Sequence, residues 1–231
     1  MSNYQRKNKF HKNACYKGIE LAAKNAPYVS CYLNSIDKVI NYTSELYSRV
    51  FAVTFVLRYP RRYRQNPMYN DIGGFFRSFK AKHDAELDRR NKRGVRVHRN
   101  RGVHYLWCRE CNEAINDHFH VMVFLNKDNF QRVGKIETPR ENYDRKSVYQ
   151  MLVEAWAQVL NISVYDAHRA VHIPRNPYYY LEQNSRSYRE QFCNLFQRAS
   201  YMAKYQTKNI SSDRRSFGYS QRRREHLSVF N

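Results

Sequence analysis

Val29, Leu33, Ile36 and Ile40 recur at helical spacing, with Val39 beside the stripe, and this predicts a helix over 28–48. The period then changes to two. Phe51, Val53, Phe55 and Leu57 alternate with Ala52, Thr54, Val56 and Arg58 until Pro60, the pattern of a strand with one fully apolar and one mixed face. Phe75, Phe79 and Leu87 predict an amphipathic helix over about 70–92, with Asp71 in its first turn. Val103 to Glu110 and His118 to Leu125 read as two strands joined by the polar turn Cys-Asn-Glu-Ala-Ile-Asn-Asp, a hairpin. Val148, Met151, Leu152, Trp156, Val159 and Leu160 form one stripe within a helix over 141–160. A short strand over Ala170 to Ile173, an aromatic loop (Asn-Pro-Tyr-Tyr-Tyr-Leu-Glu-Gln) and a last helix over about 186–208 follow. That helix turns Phe192, Leu195, Ala199 and Met202 inward.

Strand, helix, hairpin, helix, strand, helix is an α+β order, an antiparallel sheet backed by helices. The expected organisation is a basic N-terminal arm and helix (1–48), a central domain (49–210) and a basic C-terminal tail (211–231). The first 27 residues read as a loose arm with one helical turn near Ile19 to Ala23, and the tail as a mobile arm.

Charge narrows the partners. The 231 residues carry 41 Lys and Arg against 20 Asp and Glu, a net charge of +21. Such an excess favours a polyanion, and nucleic acid is the usual one. A membrane partner is disfavoured, because the longest apolar runs, Phe51 to Leu57 and Val121 to Leu125, are of strand length. The opening residues are basic and lack the apolar stretch of a signal peptide, which predicts a protein that stays in the cytoplasm where it is made. Five cysteines argue against a disulfide framework, and no Gly-rich phosphate loop marks an NTPase.

His118 and His120 flank one hydrophobic residue on a strand. Alternation sends both imidazoles to one face and Phe119, Val121, Val123 and Leu125 to the helices behind. Two imidazoles a strand-repeat apart are placed to share one metal ion, although a chance pair on a half-exposed strand has the same sequence. Glu110 ends the preceding strand near the position opposite His118 and is the favoured third ligand, with Glu113 and Asp117 as alternatives. Two nitrogens and a carboxylate leave positions open for phosphate and water. Cys108 and Cys111 raise a structural zinc as a competing reading, but Cys108 lies inside a strand and the His-x-His spacing is short for a zinc finger.

The last helix carries Ser-Tyr-Met-Ala-Lys-Tyr-Gln-Thr-Lys over 200–208. In a continuous helix Tyr201 and Tyr205 share one face a turn apart, with Lys204 and Lys208 close by to stabilise phenolate. With 20 tyrosines in the chain, this segment alone is more often an amphipathic, DNA-touching helix than a catalytic one.

Together, His-hydrophobic-His on a strand and Tyr-x-x-Lys-Tyr on a later helix resemble the HUH endonuclease superfamily of rolling-circle Rep proteins and relaxases. The wider string over roughly residues 45–210 is similar to the inovirus gene-two-type replication initiators, which share a domain with the prophage YagK/YfjJ-like proteins. It comprises Arg-Tyr-Pro (58–60), Leu-Trp-Cys-Arg-Glu (106–110), His-Phe-His-Val-Met-Val-Phe-Leu-Asn (118–126), Glu-Ala-Trp (154–156) and Ile-Pro-Arg-Asn-Pro-Tyr (173–178). The resemblance implies an antiparallel sheet of about five strands in an RRM-like palm. It also implies an enzyme that nicks single-stranded DNA or an origin hairpin, retains the 5′ phosphate on tyrosine and frees a 3′ hydroxyl. By that resemblance His118, His120 and Glu110 hold Mg2+ or Mn2+, Tyr201 is the nucleophile, Tyr205 a candidate second nucleophile, and Lys204 places metal or phosphate. A host helicase and polymerase would then complete replication of a phage, prophage or plasmid. A non-catalytic DNA-binding regulator on the same fold is the alternative, as is a transposase or relaxase with the same chemistry.

Overall fold

The computed structural model describes residues 10–22, 27–66, 68–110, 116–138, 145–206 and 215–221. Its strands are β1 (Phe10–His11), β2 (Cys15–Tyr16), β3 (Ile19–Glu20), β4 (Tyr28–Val29), β5 (Arg49–Leu57), β6 (His104–Glu110), β7 (His118–Asn126), β8 (Val171–His172), β9 (Tyr178–Glu182) and β10 (Phe217–Tyr219). Its helices are α1 (Ser30–Leu46), α2 (Asp71–Lys92), α3 (Val148–Leu160), α4 (Val164–Ala170) and α5 (Tyr188–Ser200).

The apolar run of β5 is central because both its edges are taken. β7 pairs along one edge, while β8 and β9 share the other, giving a six-stranded antiparallel sheet in the order β10-β6-β7-β5-β8 with β9 also on β5. Between β8 and β9 the chain bulges out of register, and Thr54 N–H donates to the Pro177 carbonyl there. The tyrosine run expected as a loop is therefore mostly an edge strand, Tyr178–Glu182.

Alternation along these strands builds two cores. Phe51, Val53, Phe55 and Leu57 of β5 join Phe119, Val121, Val123 and Leu125 of β7 against α2 and α3. Trp156 of α3 is fully buried there, and its indole N–H donates to the Arg58 carbonyl at 2.7 Å. Tyr59 donates to the Asp71 carboxylate at 2.8 Å, so the Arg-Tyr-Pro and Glu-Ala-Trp segments meet at the end of β5. Ser147 and Gln150 close a capping box that starts α3. Residues 141–144, placed in this helix by the sequence pattern, lie outside the described residues.

The opposite face carries a second core in which Leu106, Cys108, Met122 and Phe124 pack with Leu33, Ile36 and Ile40 of α1 and Leu195, Phe196 and Ala199 of α5. The expectation that both histidines point away from a packed face needs correcting, because helices cover both faces and the pair stands at the margin of the second core.

Both expected arms also change where they are described. Instead of a helical turn near Ile19, β2 and β3 form a small hairpin, and Ile19 and Leu21 are buried in the second core. Tyr16 stacks on Phe196 with centroids 5.5 Å apart, and Ala22 N–H donates to Ser200 Oγ at 2.9 Å. At the other terminus, Phe217 to Tyr219 add to β6 as an edge strand, in place of the mobile arm expected from charge alone. Tyr42 bonds Ser220 behind that strand. The remaining residues assigned to the arms, 1–9, 23–26, 211–214 and 222–231, lie outside the described residues. Among the described residues no helix is long and apolar enough to cross a membrane.

Candidate metal centre and its tyrosine

Register decides the centre. In the β6–β7 ladder Glu110 is the direct partner of His118, and Cys108 of His120. Paired positions point to the same face, so one carboxylate and two imidazoles emerge together at the turn end of the hairpin. The geometry follows. Glu110 Oε2 lies 2.9 Å from His120 Nε2 and 3.5 Å from His118 Nε2. Glu110 is buried, the imidazoles are partly exposed, and the ring centroids stand 5.2 Å apart.

These residues fit a divalent ion. Their ligand atoms all lie within 4.8 Å of one another. Ligands of one ion at about 2.1 Å stand at most about 4.2 Å apart, so small imidazole rotations suffice to bring the three onto one ion. A buried carboxylate with two neutral imidazoles is a donor set for borderline to hard cations.

The alternatives separate on the same geometry. Asp117 points to the other side of β7, where Arg109 meets its carboxylate at 3.4 Å with both side chains buried. Cys108 is packed in the second core and stands outside the Glu110–His118–His120 group. Glu113 and Cys111 lie outside the described residues.

Tyr201 reaches this centre from the far end of the chain. α5 ends at Ser200 and a 3-10 turn over Tyr201–Ala203 continues it beside β6. The turn sets the Tyr201 ring against His120, with centroids 5.2 Å apart and planes at 62°. Met202 and Ala203 anchor the turn in the second core and leave Tyr201 half-buried.

The helix predicted through 208 therefore stops short, and residues 207–208, with Lys208, lie outside the described residues. Ser200 Oγ donates to the Gln197 carbonyl and accepts from Ala22 N–H. Lys204 is then extended, bridging Tyr28, and Tyr205 N–H donates to the Pro27 carbonyl at 2.9 Å. Tyr205 consequently does not stand a helical turn beyond Tyr201. It packs edge-on against Phe10, with centroids 4.8 Å apart. Lys204 lies on the same short segment as Tyr201, its backbone N–H donating to the Tyr201 carbonyl at 3.2 Å. The structure thus joins Glu110, His118, His120 and Tyr201, and places Tyr205 against the N-terminal segment. No local sequence signal gives that last placement, since the pairing spans most of the chain.

The YagK/YfjJ C-terminal domain model matches residues 11–220, a span that includes both cores and every residue of this centre. YagK of Escherichia coli (strain K12) is 27% identical over 199 residues, covering 82% of this chain and 92% of that protein. YfjJ of the same strain is 25% identical over 203 residues, covering 84% of this chain and 95% of that protein. No solved structure matches the chain. With nearly its whole length matched, the chain belongs to the YagK/YfjJ C-terminal domain family.

Proposed function

We propose that this protein is a metal-dependent nuclease and strand transferase of HUH type, which nicks and rejoins single-stranded DNA to initiate rolling-circle replication of a phage, prophage or plasmid. The observation that carries the proposal is the convergence of Glu110, His118 and His120 with the Tyr201 ring resting on His120. A lone cluster of two histidines and a glutamate has many uses. A tyrosine delivered to it from a helix end, in a chain of net charge +21, favours phosphodiester chemistry.

In this reading Tyr201 Oη attacks the scissile phosphorus, forming an O–P bond while the P–O3′ bond breaks. The phenolic proton passes to water, and the departing 3′ oxygen takes up a proton to become a hydroxyl. The 5′ phosphate stays on Tyr201 until a 3′ hydroxyl reverses the step. Magnesium or manganese held by Glu110, His118 and His120 would polarise the phosphate as a Lewis acid and orient it. Burial of Glu110 keeps its carboxylate fixed between the imidazoles. Packing against His120 limits the rotation of the phenol before it attacks.

Single-stranded oligonucleotides labelled at the 3′ end test this directly. With manganese, a labelled covalent protein–DNA adduct is expected, and EDTA abolishes it. Binding without an adduct would transfer the reading to a non-catalytic DNA-binding regulator.

A further inference from the structure

On the face opposite the candidate centre, a groove of about 380 Å³ runs between the start of α2 and the β6–β10 edge. Its floor is aromatic. Tyr105 stacks on Phe76 with centroids 3.6 Å apart, and Trp107 and Phe119 continue the surface. Gly218 lies opposite Trp107, and a Cβ there would come within 2.4 Å of the indole nitrogen, so a bare backbone is what lets this ring lie across β10. The walls are unusual for a water-facing cleft. Met68 is 87% exposed, Tyr69 65% and Tyr219 37%, and all three line this groove. An exposed Arg215 stands at the rim, while Arg109 and Asp71 are engaged with Asp117 and Tyr59.

We infer that this groove is a stacking site for unpaired bases of single-stranded DNA. Exposed aromatic rings cost hydration unless a flat apolar partner covers them, and a rim arginine in a strongly basic chain selects a partner carrying phosphates. Bases within a duplex have their faces covered by neighbouring pairs, so the groove favours unpaired ones. Its position connects it with the proposed cut. Arg109 and Phe119 line the groove, and their chain neighbours Glu110, His118 and His120 form the centre on the other face. Groove and centre thus occupy the two faces of the same end of β6 and β7. The inference rests on the single-strand reading above.

Fluorescence anisotropy with a labelled single-stranded oligonucleotide and its duplex tests the site. Tyr69→Ala should weaken single-strand binding about 5- to 100-fold, the loss of one stacked base, with the salt dependence unchanged. Adding Tyr219→Ala should weaken it further. Arg215→Gln should instead lower the slope of log affinity against log salt by about one. Because Tyr69 is 65% exposed, its variant should melt like the parent, and it carries the test alone if Tyr219→Ala disturbs β10. Wild-type affinity in Tyr69→Ala, or an equal loss for duplex and single strand, would overturn the site. The two readings fail separately. An adduct formed with affinity indifferent to Tyr69 removes the groove and keeps nicking, whereas Tyr69-dependent binding without any adduct does the reverse.

Discussion

Along β7, Phe119, Val121, Val123 and Leu125 enter one core, while His118, His120, Met122 and Phe124 share the opposite face. The first face is apolar from end to end and closed by α2 and α3. The second is apolar only where α1 and α5 cover it, and turns polar at the hairpin's turn end. On this face a single strand thus holds core packing at one end and candidate metal ligands at the other. Core packing of Met122 and Phe124 fixes the backbone that aims the two imidazoles, so the centre is positioned by residues that never touch it.

The largest effect expected from this contrast falls on activity at the polar end. His118→Ala and His120→Ala should each lower adduct formation at least about a thousandfold and abolish manganese binding, with little change in melting, since both side chains are partly exposed. Calorimetric titration and the adduct assay check this, and full activity in either variant would remove the metal assignment.

The uniform face should respond in the opposite sense. Phe55 is fully buried in the first core, and Phe55→Ala should destabilise by about 3–5 kcal/mol in urea unfolding. A cost below about 1 kcal/mol would mean that this face is not the main core. On the second face, Phe217→Ala tests whether β10 belongs to the folded body. With Phe217 buried and stacked on Tyr32 at 4.3 Å, a loss of about 2–3 kcal/mol is expected, where a mobile tail would lose nothing.

The same region gives a pH dependence. Burial, reinforced by the nearby charge of Lys80, pushes His104 down to about 4, and its Nδ1 lies 2.8 Å from Tyr42 Oη. An unfolded histidine titrates near 6.5. Between those values the unfolded chain binds the extra proton, so stability is complete above about pH 6.5 and is lost as pH falls towards 4. The loss should be on the order of 3 kcal/mol, and His104→Gln should flatten it in pH-dependent melting; an unchanged profile would assign the slope to other groups. The smallest effect belongs to Tyr205→Phe. Packed against Phe10 rather than His120, Tyr205 should leave the first adduct within about twofold of wild type. A collapse of the first cut in that variant would mean that the chain beyond Ser200 rearranges during catalysis.

What was legible in the sequence follows the range of the interactions. Period-two alternation identified β5, β6 and β7 and their apolar faces, and helical stripes identified α1, α2 and α3. The Glu110–His118 pairing was readable because a hairpin fixes register locally. The misread elements depend on distant partners. β10 carries only three residues and is held by β6, and β9 reads as an aromatic loop until β5 is beside it. α4 is seven residues long, too short for a periodic signal. The break after Ser200 is set by Ala22, Pro27 and Tyr28, more than 170 residues away in the chain. Tyr201 was therefore identified from its motif, whereas the different surroundings of Tyr205 needed the tertiary structure.

Peptide mapping of the covalent adduct tests the central claim most directly. After reaction with a single-stranded oligonucleotide and manganese, nuclease and protease digestion would leave a nucleotide on one peptide for mass spectrometry. The account predicts a phosphotyrosyl linkage at Tyr201, lost in Tyr201→Phe, a substitution that keeps the ring's packing against His120. A nucleotide found on Tyr205 alone, or on neither tyrosine, would contradict it.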